Sequence, residues 1–253
     1  MKYTILALGA FFLLNCKDVK QDVSAETQKV QSIIDKTIEV SGGNKFDKSA
    51  IEFTFRATKY TSIRDFDSRV LSRYMINENN DSVKDVLSSG EFQRFINDFP
   101  ISVPDSMAVK YSASVNSVHY FAVLPYGLND LAVKKTLLED VLVKNNSYYA
   151  VKVTFNQDGG GEDFEDVFMY WVNKETNKVD YLAYSYNESD GKGIRFREAY
   201  NERYVNGLRF VDYNNYKPAD SSISLISLPQ LFEKGKLKMI SKIELENIAV
   251  QLN

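Results

Sequence analysis

Few side chains in this sequence are of a type and spacing that would do chemistry on their own. The chain has one histidine, His119, and one cysteine, Cys16. A Ser–His or Cys–His relay would have to run through His119. No intrachain disulfide can form, and zinc sites built on histidine and cysteine are effectively excluded. His119 lies in SVHYFAVLP, where alternating Val118, Tyr120 and Ala122 suggest a strand, so it reads as a strand-face histidine. Carboxylates are plentiful, but Glu198/Glu202 and Glu188/Asp190 have no spacing that marks an acid–base pair. No catalytic residue, cofactor or metal ligand is assigned from the sequence.

The segment QDGGGEDFED (157–166) is the other stretch that invites a chemical reading. A phosphate cradle needs a following helix and usually a lysine, whereas a strand pattern follows here. Asp158, Glu162, Asp163, Glu165 and Asp166 could offer calcium several oxygens, but not in the alternating order of a known calcium loop. The segment reads first as a solvated connection between two strands, with calcium as the second reading. Arg195 and Arg197 share one face of the strand pattern GIRFRE, with Ile194 and Phe196 on the other. They are either a solvated face or a grip for an anion such as a lipid headgroup.

The elements that would position these groups are mostly strands. Of 253 residues, 44% are hydrophobic and 13% aromatic, with 16 Phe and 16 Tyr but few Gly and Pro. That composition favours strands over disorder and suffices for a sizeable core. The net charge is −3 with no long block of one sign, so no nucleic-acid footprint is present. Ser24 is a candidate N-cap for a helix that carries Val30, Ile33, Ile34, Thr37 and Ile38 on one face and stops at Ser41-Gly42-Gly43. Strand patterns follow in IEFTFRATKY (51–60), SRVLSRYMIN (68–77) and SVKDVLSS (82–89). A helix is expected from Pro104 to about Ala113, then a strand over 117–125. DLAVKKTLLEDVLVKN is ambiguous between a helix and two short strands.

Further strands are expected at 147–155, at VFMYWV and KVDYLAYSY flanking an Asn173–Asn177 turn, and at IRFREAYNERYV and LRFVDYNNY. Asn206-Gly207 between the last two marks a two-residue hairpin that sets Val205 against Leu208 and Arg203 against Phe210. A short helix near 228–234 and one last strand, KLKMISKIELENI, complete the order. Hairpins in series argue for an antiparallel sheet with helices beside it. Phe53, Phe55, Val167, Met169 and Trp171 form an apolar stripe that is either core or the wall of an apolar ligand cavity.

The first residues carry an address. Lys2 precedes an apolar run from Ile5 to Leu14, shorter than the ~20 residues of a membrane-spanning helix. Leu13-Leu14-Asn15-Cys16 resembles the lipobox of bacterial lipoproteins, which implies lipidation at Cys16 after removal of residues 1–15. The expected divisions are a signal peptide (1–15), a lipidated Cys and polar tether (16–23), and a single domain (24–253).

The succession of a helix ending in Gly-Gly, strand IEFTFRATKY, hairpin VFMYWVNKETNKVDYLAYSY, turn SDGKG, strand IRFREAYNERYV and an NG turn resembles the outer-membrane lipoprotein-sorting carriers (LolA-like). That resemblance implies an α+β, mainly β fold: a curved antiparallel sheet, an incomplete barrel, wrapping the N-terminal amphipathic helix and short helices. It also implies an apolar ligand, a lipid or a lipoprotein acyl chain, held on the concave face. The expected setting is the cell envelope, at the outer membrane through the lipid anchor. An envelope module with a filled core, and a carboxylate-based hydrolase, remain as alternatives.

Overall fold

The structure, a computed structural model, describes residues 24–66, 68–159, 164–188 and 191–252. The expected signal peptide, Cys16 and the tether lie outside the described residues, as do residues 160–163 of the glycine-acid loop. Helix α1 (Ala25–Val40) is followed by strands β1 (Lys48–Phe55), β2 (Thr58–Asp65), β3 (Ser68–Ile76), β4 (Ser82–Ser88), β5 (Glu91–Ile96) and β6 (Phe99–Ile101). Helix α2 (Asp105–Ala122) leads to β7 (Val133–Leu137), β8 (Val141–Val143), β9 (Asn146–Phe155), β10 (Val167–Asn173), β11 (Val179–Glu188), β12 (Gly191–Val205) and β13 (Leu208–Lys217). Helix α3 (Leu228–Glu233) precedes β14 (Lys238–Ile243) and β15 (Glu246–Leu252).

The strands form two antiparallel sheets, in the orders β15-β1-β2-β3-β4-β5-β6 and β14-β13-β12-β11-β10-β9-β7, with β8 paired to β9. The fold is mainly β with three helices and no closed barrel among the described residues. Asn206-Gly207 makes the expected two-residue turn, with Val205 opposite Leu208 and Arg203 opposite Phe210. Both turn residues have positive φ, 49° and 83°, which Asn and Gly tolerate.

Helix α1 begins where the Ser24 hydroxyl accepts the Thr27 N–H at 3.2 Å. Its face of Val30, Ile33, Ile34 and Thr37 is buried, packed with Val151, Tyr170, Val172 and Leu182 of the second sheet. Gly42 ends it at φ 134°, and a Cβ there would stand 2.7 Å from Leu208 Cδ2. Gly42→Ala is expected to cost about 2 kcal/mol through backbone strain and that clash, read as a lower urea midpoint with unchanged far-UV spectrum.

Three sequence expectations are corrected. IEFTFRATKY is two strands, because Arg56 and Ala57 turn with φ 49° and 61° and send Thr58–Tyr60 into β2. The strand expected over 117–125 is the second half of α2. Val115, His119 and Ala122, spaced four and three apart, are its buried positions. The last strand is two, with β14 on the second sheet and β15 returning to pair with β1 of the first. The ambiguous stretch 130–145 holds two short strands, β7 and β8.

Candidate functional site

Helix α2 links the two sheets. Toward the first sheet, the His119 imidazole meets the Ser72 carbonyl at 3.0 Å through Nε2, and Arg73 donates to the Ser114 hydroxyl at 2.8 Å. Toward the second, Tyr120 and Tyr170 share a hydroxyl hydrogen bond of 3.0 Å, while the Phe121 ring lies 5.2 Å from that of Tyr184. Burial raises the Tyr120 phenol to about 12, so this contact is polar but uncharged.

Beside this helix a cleft of about 1560 Å³ runs between the sheets. That exceeds the ~300–1,000 Å³ usual for small-molecule sites. Phe155, Phe168, Tyr184 and Tyr213 wall it on the second sheet, Tyr120 and Phe121 on α2, and Phe55, Leu87 and Phe92 on the first sheet. Phe168 is central to the aromatic wall, within 6.0 Å of Tyr120 and Phe121, 5.8 Å of Phe155 and 5.2 Å of Tyr184, centroid to centroid.

The structure divides the sequence-derived stripe. Phe55 lines the cleft. Phe53 is fully buried in a cluster with Ile51, Phe46 and Phe210. Met169 and Trp171 occupy the other face of β10, with Val167 packed against them, beneath Leu225, Leu228 and Phe232 of the α3 region. These four residues are core under present packing, and the cleft face of β10 is that of Phe168. Both faces of β10 are covered, so its sequence is hydrophobic from Val167 to Val172 and does not disclose which parity faces the cleft.

Arg195 and Arg197 fall on the cleft side of β12, opposite Tyr184 and Leu182 of β11. Ile194 and Phe196 point to the α3 side. Arg195 donates to the Ile194 carbonyl at 3.0 Å and lies over the Tyr186 ring. Arg197, 7% exposed, donates to the Tyr184 hydroxyl at 2.7 Å and stacks 3.9 Å from the Phe121 centroid. The aromatic lining residues Phe121, Phe155, Phe168 and Tyr184 were not singled out from sequence. The available signal was register, since the arginines' cross-strand neighbour Tyr184 and its own neighbour Phe168 share their face.

Glu198 and Glu202 serve as braces, and Asp190 lies outside the described residues. Glu198 accepts from Lys144, Asn214 and Tyr216, and Glu202 pairs with Lys178 and Arg209. No group of three or more His, Cys, Asp or Glu side chains suited to a metal occurs among the described residues. Nor is any described helix long and apolar enough to cross a membrane.

The fold and cleft thus define a mainly β protein with an aromatic-lined cavity beside a helix that links two sheets. The chain belongs to the family of unknown function DUF6503, whose model matches residues 9–245. No curated protein matches it. Among solved structures it is similar to a LolA superfamily protein from Nitrosomonas europaea, at 11% identity and TM-score 0.45, over 88% of this chain and 91% of that one. It is similar to an outer membrane lipoprotein-sorting protein domain from Vibrio parahaemolyticus, at 10% identity and TM-score 0.41, over 82% and 99%. A third is the Mycobacterium tuberculosis lipoprotein LppX, at 8% identity and TM-score 0.30, over 65% and 91%. Lipoprotein-sorting proteins therefore stand among the structures this chain is similar to, as its element order suggested. At these scores the likenesses carry no argument about a ligand, which rests on the cleft alone.

Proposed function

We propose that this protein binds an apolar, acyl-chain-bearing ligand, a lipid or the acyl chain of a lipoprotein, in the cleft between its sheets. The observation that carries this reading is the cleft's size together with its aromatic lining. Each buried methylene of a chain contributes about 0.8 kcal/mol, so a ten-carbon tail suffices for firm binding without any catalytic group. In this reading residues 24–253 are one ligand-binding unit. It is held at the cell envelope, at the outer membrane, through an acylated Cys16 after loss of residues 1–15. The role is binding rather than catalysis, because Glu198 and Glu202 are engaged as structural ion-pair and hydrogen-bond partners.

Native mass spectrometry of the purified protein, with solvent extraction of what leaves on denaturation, tests the reading. The expected result is about one lipid per chain, released on denaturation, while chains covalently attached at Cys16 stay with the protein. Ala113 lines the cleft on α2, and Ala113→Trp is expected to lower the bound lipid at least fivefold while the fold persists. A clean apo mass, repeated after incubation with membrane extract, overturns the proposal and favours a module that works through its outer surface.

A further inference from the structure

Among the described residues, six charged ones are more than nine-tenths buried: Arg64, Arg73, Asp85, Arg197, Arg209 and Asp212. Four of them are paired. Asp85 holds Arg73 and Arg94, Asp212 holds Arg203, and Arg209 holds Glu202. Arg64 and Arg197 form no ion pair among the described residues, and both line the cleft. Removing a charge from water is costly unless a counter-charge meets it, so two guanidiniums without an ion pair, one on each sheet beside the cleft, require a reason. Arginine cannot escape by losing its proton.

Arg197 is the less satisfied of the two. Arg64 donates to the Ser62 hydroxyl at 2.6 Å. Arg197 spends one Nη on the Tyr184 hydroxyl, and its Nε is buried with no hydrogen-bond partner among the described residues. The guanidinium is held by rings rather than by acids, with Phe121 at 3.9 Å, Tyr184 at 5.1 Å and Tyr213 at 5.8 Å. Such a cage fixes the plane of the fork while leaving its charge unneutralised. Asp130 and Asp47 act electrostatically on Arg64, whereas Arg197 forms no ion pair with an acid among the described residues. A buried Arg197 without an acid partner suits a ligand that carries its negative charge into the cleft.

We propose that Arg197 receives the anionic head of a single-headed amphiphile, a carboxylate or a phosphate monoester, whose tail runs along the Phe121–Phe168 wall. This rests on the apolar-ligand reading above and adds to it a charge requirement and an orientation. A carboxylate or phosphate oxygen can take the Nη–H groups that the Tyr184 bond leaves over, while the buried Nε leaves the guanidinium short of partners. The Tyr184 hydroxyl, which accepts from Arg197, is then free to donate its own proton to the same head. Arg195, half-buried and already bonded to a backbone carbonyl, is not part of the contact.

The test is a set of titrations of the delipidated full-length protein with dodecanoate, dodecyl phosphate and dodecanol, which share a tail and differ in the head. The wild type is expected to bind at least one of the two anions about tenfold or more tighter than dodecanol. The tighter anion names the source, a fatty acid for the carboxylate or a phospholipid-type head for the phosphate. Arg197→Leu is expected to bring the anions down to the dodecanol level while leaving dodecanol within twofold. Arg197→Lys is expected to keep part of the preference, as a point charge without the fork. Equal wild-type affinity for all three overturns the head contact but leaves the apolar-ligand reading standing. So does an Arg197→Leu loss that is the same for all three ligands. Absence of binding to any of them overturns both. The wild-type comparison needs no variant, so it decides the matter even if Arg197→Leu folds poorly.

Discussion

Replacing Asp85 by alanine is expected to lower the unfolding free energy by about 3–5 kcal/mol. The Asp85 side chain is fully buried on β4. One oxygen accepts from Arg73 Nε at 2.8 Å, and the other from Arg94 Nε at 2.7 Å. Arg94 also gives a second bond at 2.9 Å, so that pair is two-pronged. The three residues stand directly opposite one another on β3, β4 and β5. The same two arginines reach α2, Arg73 through Ser114 and Arg94 by lying 3.6 Å from the Tyr111 ring centroid. Removing the carboxylate leaves Arg73 buried with no counter-charge, which costs more than the pair itself contributes. Urea denaturation of Asp85→Ala gives the midpoint shift. The triple variant Asp85→Leu/Arg73→Met/Arg94→Met should recover much of the loss, because no desolvated charge of the trio then remains. A single-variant loss under 1 kcal/mol would show that water reaches Asp85.

The trio also explains how much of the site could be read in advance. The helix cap at Ser24, the glycine stop and the Asn-Gly hairpin rest on local chemistry, and each lies where its residues indicated. What could not be read depended on partners distant in the chain. Arg56-Ala57 turns without Gly, Pro or Asn, so IEFTFRATKY shows an unbroken alternation across a real corner. The second half of α2 meets one sheet through His119 and Ala122 and the other through Tyr120 and Phe121. An apolar surface that wide loses the single stripe by which a helix is recognised, and its residues alternate by accident. In β10 the difficulty is the opposite one, since every position from Val167 to Val172 is hydrophobic and only the cover on each side separates core from cleft. The arginines were legible as a pair on one face, but their isolation from acids is a three-dimensional property. Charge pairing is decided by strand neighbours such as Asp85 and Arg94, and no spacing in the sequence announces which arginines will lack one.

Acidification from pH 7 to pH 4 is expected to remove about 3 kcal/mol of stability through His119 alone. The imidazole is 1% exposed and stands edge-on to Phe53 and Tyr60, with centroids at 5.7 and 5.5 Å. Burial lowers its pKa from 6.5 to about 4, with Arg64 and Arg69 pushing the same way and the Ser72 carbonyl opposing them. The folded protein therefore keeps His119 neutral where the unfolded chain already binds a proton. Its stabilising contribution is whole above about pH 6.5, declines as pH falls, and is exhausted only below pH 4, where both states are protonated. Carboxylates titrate in the lower part of that range, so the measurement is a difference. Unfolding free energies of wild type and His119→Leu are compared from pH 7 to 4. The variant starts lower, having lost the bond to Ser72, but should fall less steeply, so the gap closes toward acid. Parallel curves would contradict a depressed pKa. Because the chain has one histidine, a single imidazole resonance reports the folded pKa directly, independent of any denaturant. His119 does not line the cleft. Its protonation should therefore loosen α2 from the first sheet, and with it the Phe121 wall, before it touches the charge at Arg197. Ligand affinity should decline with stability below pH 6, and the preference for anionic heads should persist for as long as the ligand itself stays ionised.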